Sequence, residues 1–335
     1  MDSEQRVLER PWWRFSFWQV GARIAHGSHV QKWGDRVFYN ATRFLAIFII
    51  ILSGLLVLEL VQDSWEAIQK FGLGFLVGTT WDPVAEVFGT LPTIVGTIAK
   101  CVIALTLAIP ISLGSAIFLA LYAPRWIRDP LSYLVELLAA IPSIVFGLWG
   151  LFVLVPIVRT LQIWLKSHFG WFPLFKGPAV YGVGVLAAGI MLAIMITPII
   201  TAVSRDLIRA VPRSQMEAML ALGATRWEAV WKAVLPYART GLIGAIVLGL
   251  GRAIGETMAV TLVGGNAFKL MTSLFDPVHS MASQIASEFT EATYSLYVSS
   301  LIYVGLVLFG ITVILSLLAQ FLIWRLSRGR IGILE

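Results

Sequence analysis

Two opposite charges, Arg252 and Glu256, lie four residues apart inside an apolar run over residues 240–263. A charge at the centre of a bilayer costs about 2.5–3.5 kcal/mol on insertion scales, so a chain keeps one there only where it faces protein or water. The fork of a guanidinium binds the oxygens of an oxyanion through two parallel hydrogen bonds. The pair therefore indicates the path of a polar, anionic solute.

A continuous helix through this run would place both charges on one face, together with the small residues Ala245, Gly249 and Ala259. Small residues permit the close approach of another helix or leave room for a solute. Two interpretations stay open. The charges form a structural pair that neutralises itself, or Arg252 exchanges Glu256 for an anion. Pairing belongs to both, because either charge alone would be costly to bury.

The composition indicates which elements position this pair. Of the 335 residues, 58% are hydrophobic and only 13% are charged, and the mean hydropathy is +0.83. Soluble domains contain about 25% charged residues, so this is the composition of a polytopic membrane protein.

Six apolar runs are long enough to cross a bilayer, and each must be helical because lipid cannot satisfy free backbone groups. The predicted spans are residues 44–61, 91–122, 131–158, 179–203, 240–263 and 297–324. Pro110 and Pro142 are expected to kink or break the second and third spans. The fold class is therefore an all-α polytopic membrane protein with six transmembrane helices.

Lysine and arginine are distributed unevenly between the loops. With the N-terminus inside, 18 of the 25 lysines and arginines lie on the cytoplasmic side and 5 outside. This asymmetry predicts that both termini and residues 204–239 are cytoplasmic and that residues 264–296 are extracytoplasmic. Residues 1–43 are predicted to be a cytoplasmic or interfacial segment, and residues 44–335 the six-helix transmembrane domain.

Lys100 lies within the second predicted span. Its side chain could face the pathway, or its ammonium could reach the outer interface along its own alkyl stem. The sequence favours the second interpretation.

The cytoplasmic segment 204–239 carries the signals of two short helices. Capping boxes are predicted at Ser214 with Glu217 and at Thr225 with Glu228. Gly223 is expected to end the first helix in the left-handed conformation, and Pro236 to end or bend the second. An apolar stripe follows the second helix at i, i+3, i+4 and i+7: Trp227, Val230, Trp231 and Val234. An amphipathic pair of this kind either docks a partner or packs on the chain's own helix ends.

The same segment resembles the coupling loop of ABC importer permeases. Glu217-Ala218, Gly223 and Leu235-Pro236 match that loop in type and spacing, although Met219 and Ala233 stand where Ala and Ile are usual. Residues 140–154 and 248–266 resemble the permeases of phosphate importers, of the C type (PstC) rather than the A type.

The resemblance implies the type I permease fold and a role in moving inorganic phosphate into a bacterial cell across the inner membrane. It implies a heterodimer with a PstA-like permease, two ATPase subunits docked on the coupling loops, and an extracytoplasmic phosphate-binding protein. The chain itself would have no catalytic residue, metal or cofactor, because ATP and magnesium belong to the ATPase. Consistent with this, the sequence contains no Gly-x-x-x-x-Gly-Lys-Ser/Thr nucleotide-binding pattern.

Other functions predict other features. A permease for molybdate or sulfate would share the same architecture. An ion-coupled secondary transporter predicts inverted repeats with broken helices at matching positions, and these are not evident. An intramembrane enzyme would need a metal cluster or a nucleophile with its base, but the four histidines lie in loops or at helix ends without metal-site spacing.

Overall fold

The computed structural model describes residues 33–178 and 181–328, and nearly all of its elements are helices. The elements within residues 33–178 are α1 (Trp33–Asp63), α2 (Trp65–Phe71), α3 (Gly74–Val77), β1 (Trp81–Asp82), β2 (Val87–Phe88), α4 (Leu91–Ile117), α5 (Arg125–Ala140), α6 (Ser143–Trp149) and α7 (Val155–Phe169). They are followed by α8 (Val185–Arg209), α9 (Arg213–Ala221), α10 (Arg226–Ala229), α11 (Leu235–Ile254), α12 (Met258–Val263), α13 (Met281–Glu288) and α14 (Ser295–Arg328).

Short turns of other types complete several of these elements. π-Helical turns extend α4 over Phe118–Tyr122, join α6 to α7 over Gly150–Leu154, and join α10 to α11 over Val230–Val234. Residues Pro173–Phe175 form a 3-10 turn. The strands β1 and β2 form a two-stranded antiparallel hairpin in which Trp81 pairs with Phe88.

The chain divides into two compact units, Met1–Leu58 and Glu59–Glu335. Of the first unit, the structure describes α1 up to Leu58. Helix α1 begins ahead of residue 44, so the end of the predicted N-terminal segment is helical. The rest of that segment, residues 1–32, lies outside the described residues.

The described part of the chain contains six helices that are long and apolar enough to cross a membrane, as the sequence predicts. They are Asp35–Asp63, Leu91–Tyr122, Ser143–Phe169, Val185–Arg209, Arg226–Ile254 and Ser295–Arg325. The second matches its predicted bounds. The third and fifth differ from the prediction in ways that affect the site.

The predicted third span, residues 131–158, is wrong at its start. The chain is interrupted at Ile141 and Pro142, and Ile141 is extended with φ −64° and ψ 131°. Proline disfavours the helical conformation of the residue before it and lacks a donor of its own. Residues before this break belong to the separate helix α5, so the span begins at Ser143. Pro110, in contrast, does not break α4.

The fifth span begins earlier than predicted, because Pro236 does not end the helix. The backbone N–H of Leu235 bonds the carbonyl of Val230 across the π-helical turn, and Pro236 follows in the first turn of α11. A π-helical turn inserts one extra residue into a helix, and here helix continues on both sides of it. The helix is therefore continuous from Arg226 to Ile254.

The core of the second unit forms around α8, where 67% of the most apolar stretch is buried. A side-chain carbon at Gly189 would lie 2.6 Å from Ile103 of α4, and one at Gly249 would lie 2.7 Å from Ile200 of α8. Glycine at both positions allows the helices to approach closely, as small residues do in membrane helix packing.

The loop between α12 and α13 is held by Asp276. Its carboxylate accepts hydrogen bonds from Lys269 (2.7 Å), from the N–H and hydroxyl of Thr272 (2.9 and 2.8 Å), and from the N–H of Ser273 (2.8 Å). Burial alone would raise the pKa of Asp276, but these donors hold it below its usual value. The loop is thus an ordered element that packs on the helices.

Candidate functional site

The Arg252–Glu256 pair lies at a break between two helices, not within one. Helix α11 ends at Ile254, and α12 begins at Met258. The predicted continuous helix over residues 240–263 is therefore wrong at this point. Gly251 directly precedes Arg252 and Gly255 directly precedes Glu256, and glycine lowers helix stability by about 1 kcal/mol relative to alanine. Helix α11 consequently ends inside the apolar run.

The two charges nevertheless meet across the break. An Nη2 atom of Arg252 lies 3.5 Å from Oε2 of Glu256. The other oxygen of Glu256 accepts the N–H of Ala259 at 3.3 Å, in the first turn of α12. Arg252 thus belongs to α11, whereas the carboxylate of Glu256 bonds to α12. Pairing, which both interpretations require, is confirmed in the structure.

The partners differ greatly in exposure: the Arg252 side chain is 43% exposed and that of Glu256 is 5% exposed. The guanidinium opens onto a shallow groove with these neighbours: Ile199, Gly244, Val247, Leu248 and Gly251. Glu256 lines a different, smaller space, together with Lys100 and Ser280. The cation is therefore accessible, while its counterion is held in the interior.

The small residues predicted to share the face of the pair are packed against protein. Ala245 and Ala259 are buried. A side-chain carbon at Gly147 of α6 would lie 3.0 Å from Cα of Ala259. These positions therefore permit close helix approach and leave no room for a solute, so on this face of the described helix the accessible space lies beside Arg252.

Lys100 is buried, with 1% of its surface exposed. Its ammonium donates to the carbonyl of Val278 at 2.5 Å. The predicted extension to the outer interface is wrong, because the loop after α12 folds over α4 and offers an internal acceptor. Nearby, a side-chain carbon at Gly96 would lie 2.3 Å from the carbonyl oxygen of His279, and Thr97 accepts the N–H of Met281 at 3.0 Å.

The first half of the predicted coupling segment is a short helix with an unexpected start. Pro212 is the N-cap of α9 and no side chain caps it, so the predicted capping box of Ser214 with Glu217 is wrong. Pro212, with its φ fixed by the ring, starts the helix two residues too early for Ser214 to act as the cap. Glu217 and Ala218 are exposed on α9.

The end of α9 matches the prediction. Gly223 has φ +84°. Its N–H bonds the carbonyl of Leu220 at 3.0 Å, and the N–H of Ala224 bonds that of Met219 at 3.1 Å. These two bonds form the Schellman motif, which requires a residue in the left-handed conformation.

The second helix of the predicted coupling segment begins at the predicted capping box of Thr225 and Glu228. The N–H of Glu228 donates to the Thr225 hydroxyl at 3.3 Å, and the N–H of Thr225 donates to the Glu228 carboxylate at 2.9 Å. Both bonds of the box are present. The box fixes the start of the helix that continues through Leu235 and Pro236 to Ile254.

The residues of the predicted apolar stripe divide into two buried and two exposed side chains. Val230 and Val234 are buried, and Val234 belongs to a cluster with Ala116, Ile208, Ala238 and Leu242. Trp227 and Trp231 are 60% and 53% exposed, with ring centroids 5.5 Å apart in an edge-to-face arrangement. The two valines therefore pack this segment against the chain's own helices, whereas the two tryptophans stay exposed on its surface.

Sequence reasoning missed an ion-pair network at Arg205. This buried side chain donates to Asp206 at 2.9 Å and to Glu136 of α5 at 3.0 Å. The contact with Asp206 could have been predicted, because Asp206 is the next residue in the sequence. The contact with Glu136 depends on the packing of α5 against α8 and has no local signal.

In the described residues, six helices are long and apolar enough to span a membrane, an accessible arginine is paired with a buried carboxylate, and a pair of short helices is exposed, which is the architecture expected of a membrane transport protein. The fold is similar to that of a chain of the inward-facing MetNI methionine ABC transporter, with a TM-score of 0.54 and 16% identity over 74% of this chain and 99% of that chain.

Residues 108–328 match the family of binding-protein-dependent transport system inner membrane components. The chain is 47% identical over 88% of its length to the phosphate transport system permease protein PstC of Pasteurella multocida, covering 93% of that protein. It is 44% identical to the protein of the same name from Mesorhizobium japonicum, over 88% of this chain and 91% of that protein. The chain therefore belongs to the binding-protein-dependent transport system inner membrane component family, and within it to the PstC type.

It follows that the chain is a multi-pass inner-membrane permease subunit and not an enzyme. Hydrolysis of ATP in such systems takes place on a separate subunit. The resemblance of residues 217–236 and 248–266 to ABC importer permeases thus led to the correct family.

Proposed function

We propose that this chain is the PstC-type permease subunit of an ATP-driven importer that carries inorganic phosphate into the cell. The observation that carries the proposal is the accessible Arg252 whose counterion Glu256 is buried across a helix break. The two relatives described above are named as phosphate transport permeases, which supports phosphate over molybdate or sulfate.

In this proposal Arg252 binds the anion and Glu256 releases it. The guanidinium donates two parallel hydrogen bonds to phosphate oxygens when it leaves the carboxylate. The ion pair at 3.5 Å is long for a charge-assisted hydrogen bond, so an anion can replace it. Glu256 stays attached to the Ala259 N–H and re-forms the pair afterwards, which keeps the site from retaining the anion.

The exposed surface of residues 213–231 supports docking of an ATPase subunit. Glu217, Ala218, Trp227 and Trp231 are exposed there, while Gly223 fixes the turn between the two helices. Leu235 and Pro236 connect this surface to the helix that carries Arg252. Closure of the ATPase dimer on ATP binding would then move that helix.

The remaining partners complete the importer. A PstA-like permease would form the other half of the pathway, and a second ATPase subunit would dock on it. An extracytoplasmic protein would deliver phosphate. This chain would hold no cofactor, and ATP and magnesium would be bound by the ATPase subunits. The distribution of 18 lysines and arginines to 5 supports cytoplasmic termini and a cytoplasmic segment 204–239.

The proposal is tested by ATP-dependent uptake of radiolabelled phosphate into proteoliposomes that contain the whole complex. Arg252→Lys keeps the charge but loses the fork, so uptake should fall about tenfold or more, the effect of losing a charge-assisted hydrogen bond. The control is Arg36→Lys, an exposed arginine of α1, which should transport normally. Normal uptake by the Arg252→Lys complex, or equal uptake of molybdate or sulfate by the unmodified complex, would contradict the proposal.

A further inference from the structure

The Arg252–Glu256 pair carries no net charge. A neutral pair does not by itself favour an anion over water, because the attraction of the guanidinium is offset by the repulsion of the carboxylate one helical turn away. A site that draws an anion into low-dielectric surroundings needs an excess of positive charge nearby.

Lys100 is the candidate, because it is a buried basic side chain beside Glu256. It lines the same small enclosed space as Glu256. A side-chain carbon at Gly264, directly after α12, would lie 3.1 Å from its ammonium nitrogen. Lys100 takes part in none of the ion pairs of the described residues. Its ammonium has three donors, and the carbonyl of Val278 accepts one of them.

The other titratable groups packed around Lys100 do not provide this charge. Burial, and then the charge of Lys100, lower the pKa of His279 to about 4, so its imidazole is neutral at neutral pH. Lys269 is paired with Asp276 at 2.7 Å. The thiol of Cys101 is buried. Within this region Lys100 is therefore the cation whose charge is not matched by an acid.

We propose that Lys100 supplies the excess positive charge that makes the Arg252–Glu256 site select an anion, acting through space and not by contact with the phosphate. The inference rests on the proposed function of that site. With Lys100 protonated, Lys100, Arg252 and Glu256 together carry one positive charge, which a bound singly charged anion neutralises. A buried charge without a partner is costly. Without the anion the charge of Lys100 is uncompensated, and a bound anion would compensate it.

A purely structural alternative is that Lys100 only fastens the loop at Val278 to α4. The two explanations differ for Lys100→Gln, which retains an N–H donor but has no charge, and for Lys100→Arg, which retains both. Charge supply predicts that Lys100→Gln is impaired and Lys100→Arg is near normal. A fastening role predicts that Lys100→Gln is the milder change, since an amide fits the space more readily than a guanidinium.

The readout is the phosphate concentration that gives half of the maximal thermal stabilisation of the purified complex, because a ligand that binds the folded state raises its melting temperature. It is measured without binding protein and at constant ionic strength set with chloride. Lys100→Gln should raise this concentration about tenfold. Adding Glu256→Gln to Lys100→Gln restores one positive charge and should bring the concentration back toward the unmodified value.

Several outcomes would overturn the inference: an unchanged half-concentration in Lys100→Gln, no recovery in the double variant, or an equal loss in Lys100→Arg. If Lys100→Gln does not assemble, the comparison of Lys100→Arg with the unmodified complex decides. Arg252→Gln separates the two proposals. Retention of the phosphate response in Arg252→Gln would defeat the proposed site itself, whereas its loss together with a normal Lys100→Gln would defeat only the role of Lys100.

Discussion

Gly96 of α4 lies directly against the backbone of His279, so closely that a side-chain carbon at residue 96 would be 2.3 Å from the His279 carbonyl oxygen. The contact joins a membrane-spanning helix to the loop that precedes α13. Thr97 and Lys100 bind the same stretch of loop through Met281 and Val278. One turn of α4 thus holds the loop that closes over the site.

Replacement of Gly96 should therefore be harmful, although alanine is normally a better helix former than glycine. Gly96→Ala should destabilise the complex by about 1–3 kcal/mol, the usual cost of overpacking, and should lower phosphate uptake. The measurement is thermal unfolding together with uptake. Gly114→Ala is the matched control, because that glycine lies in the same helix with nothing within 4 Å, and it should be neutral or slightly stabilising. Equal behaviour of both variants would contradict the close contact.

Gly223 should tolerate asparagine better than valine. Its φ of +84° is disfavoured for residues with a side chain by about 1–2 kcal/mol, and asparagine is the residue that adopts it most readily after glycine. Gly223→Val should reduce co-purification of the ATPase and reduce uptake, and Gly223→Asn should do so less. A side-chain carbon at Gly223 would meet nothing within 4 Å, so crowding is not the cause. Full ATPase association in Gly223→Val would argue against docking at this turn.

The orientation of the chain can be read from the labelling of single cysteines in intact cells. Ser214 on α9 and Thr293 before α14 are both exposed, and the buried Cys101 can be replaced by alanine to give an unreactive background. A membrane-impermeant thiol reagent should label Thr293→Cys and leave Ser214→Cys unlabelled until the membrane is permeabilised. The reverse pattern would invert the proposed topology. Ser280 is unsuitable as a probe because it is buried.

The stability of the complex should depend on pH through Glu288. Burial raises the pKa of this carboxyl above its usual value, although donors from Tyr297 and Trp81 oppose the shift. The folded state therefore holds the proton more tightly than the unfolded state, whose pKa is about 4.3. This contribution to stability is complete below that pH and is lost as the pH rises through the folded-state pKa. Thermal unfolding from pH 4 to 7 should show a smaller decline in Glu288→Gln than in the unmodified complex. An identical decline would show that another group is responsible.

Local signals in the sequence predicted the features that depend on a few neighbouring residues. The lengths of the apolar runs predicted six spans, and the Thr225–Glu228 box and the left-handed Gly223 were predicted from residue types within one turn. The Ser214 box was wrong because Pro212 competes for the same helix start. Hydropathy reports apolar length but not helix continuity, so it did not reveal the break after Ile254.

Features that depend on distant segments could not be predicted in the same way. The inward orientation of Lys100 depends on Val278, 178 residues further along the chain. The pairing of Arg205 with Glu136 depends on how α5 packs on α8. The existence of the Arg252–Glu256 pair was predicted correctly from its spacing, but its division between two helices was not, because only the folded chain shows where α11 ends.

The uninterrupted helix from Arg226 to Ile254 has a mechanical consequence. This helix is a rod whose first residue, Arg226, lies beside the exposed tryptophans. At 1.5 Å per residue, about 39 Å separate Arg226 from Arg252. Tilting the rod by about 5° around that end would displace Arg252 by about 3 Å, comparable with its 3.5 Å separation from Glu256. Glu256 is bonded to both helices: its carboxylate accepts the N–H of Ala259 in α12, and its own N–H donates to the carbonyl of Ala253 in α11. In the proposed mechanism the rod would act as a lever arm: where the Ala259 N–H retains the Glu256 carboxylate, a small torque at one end would open or close the ion pair at the other.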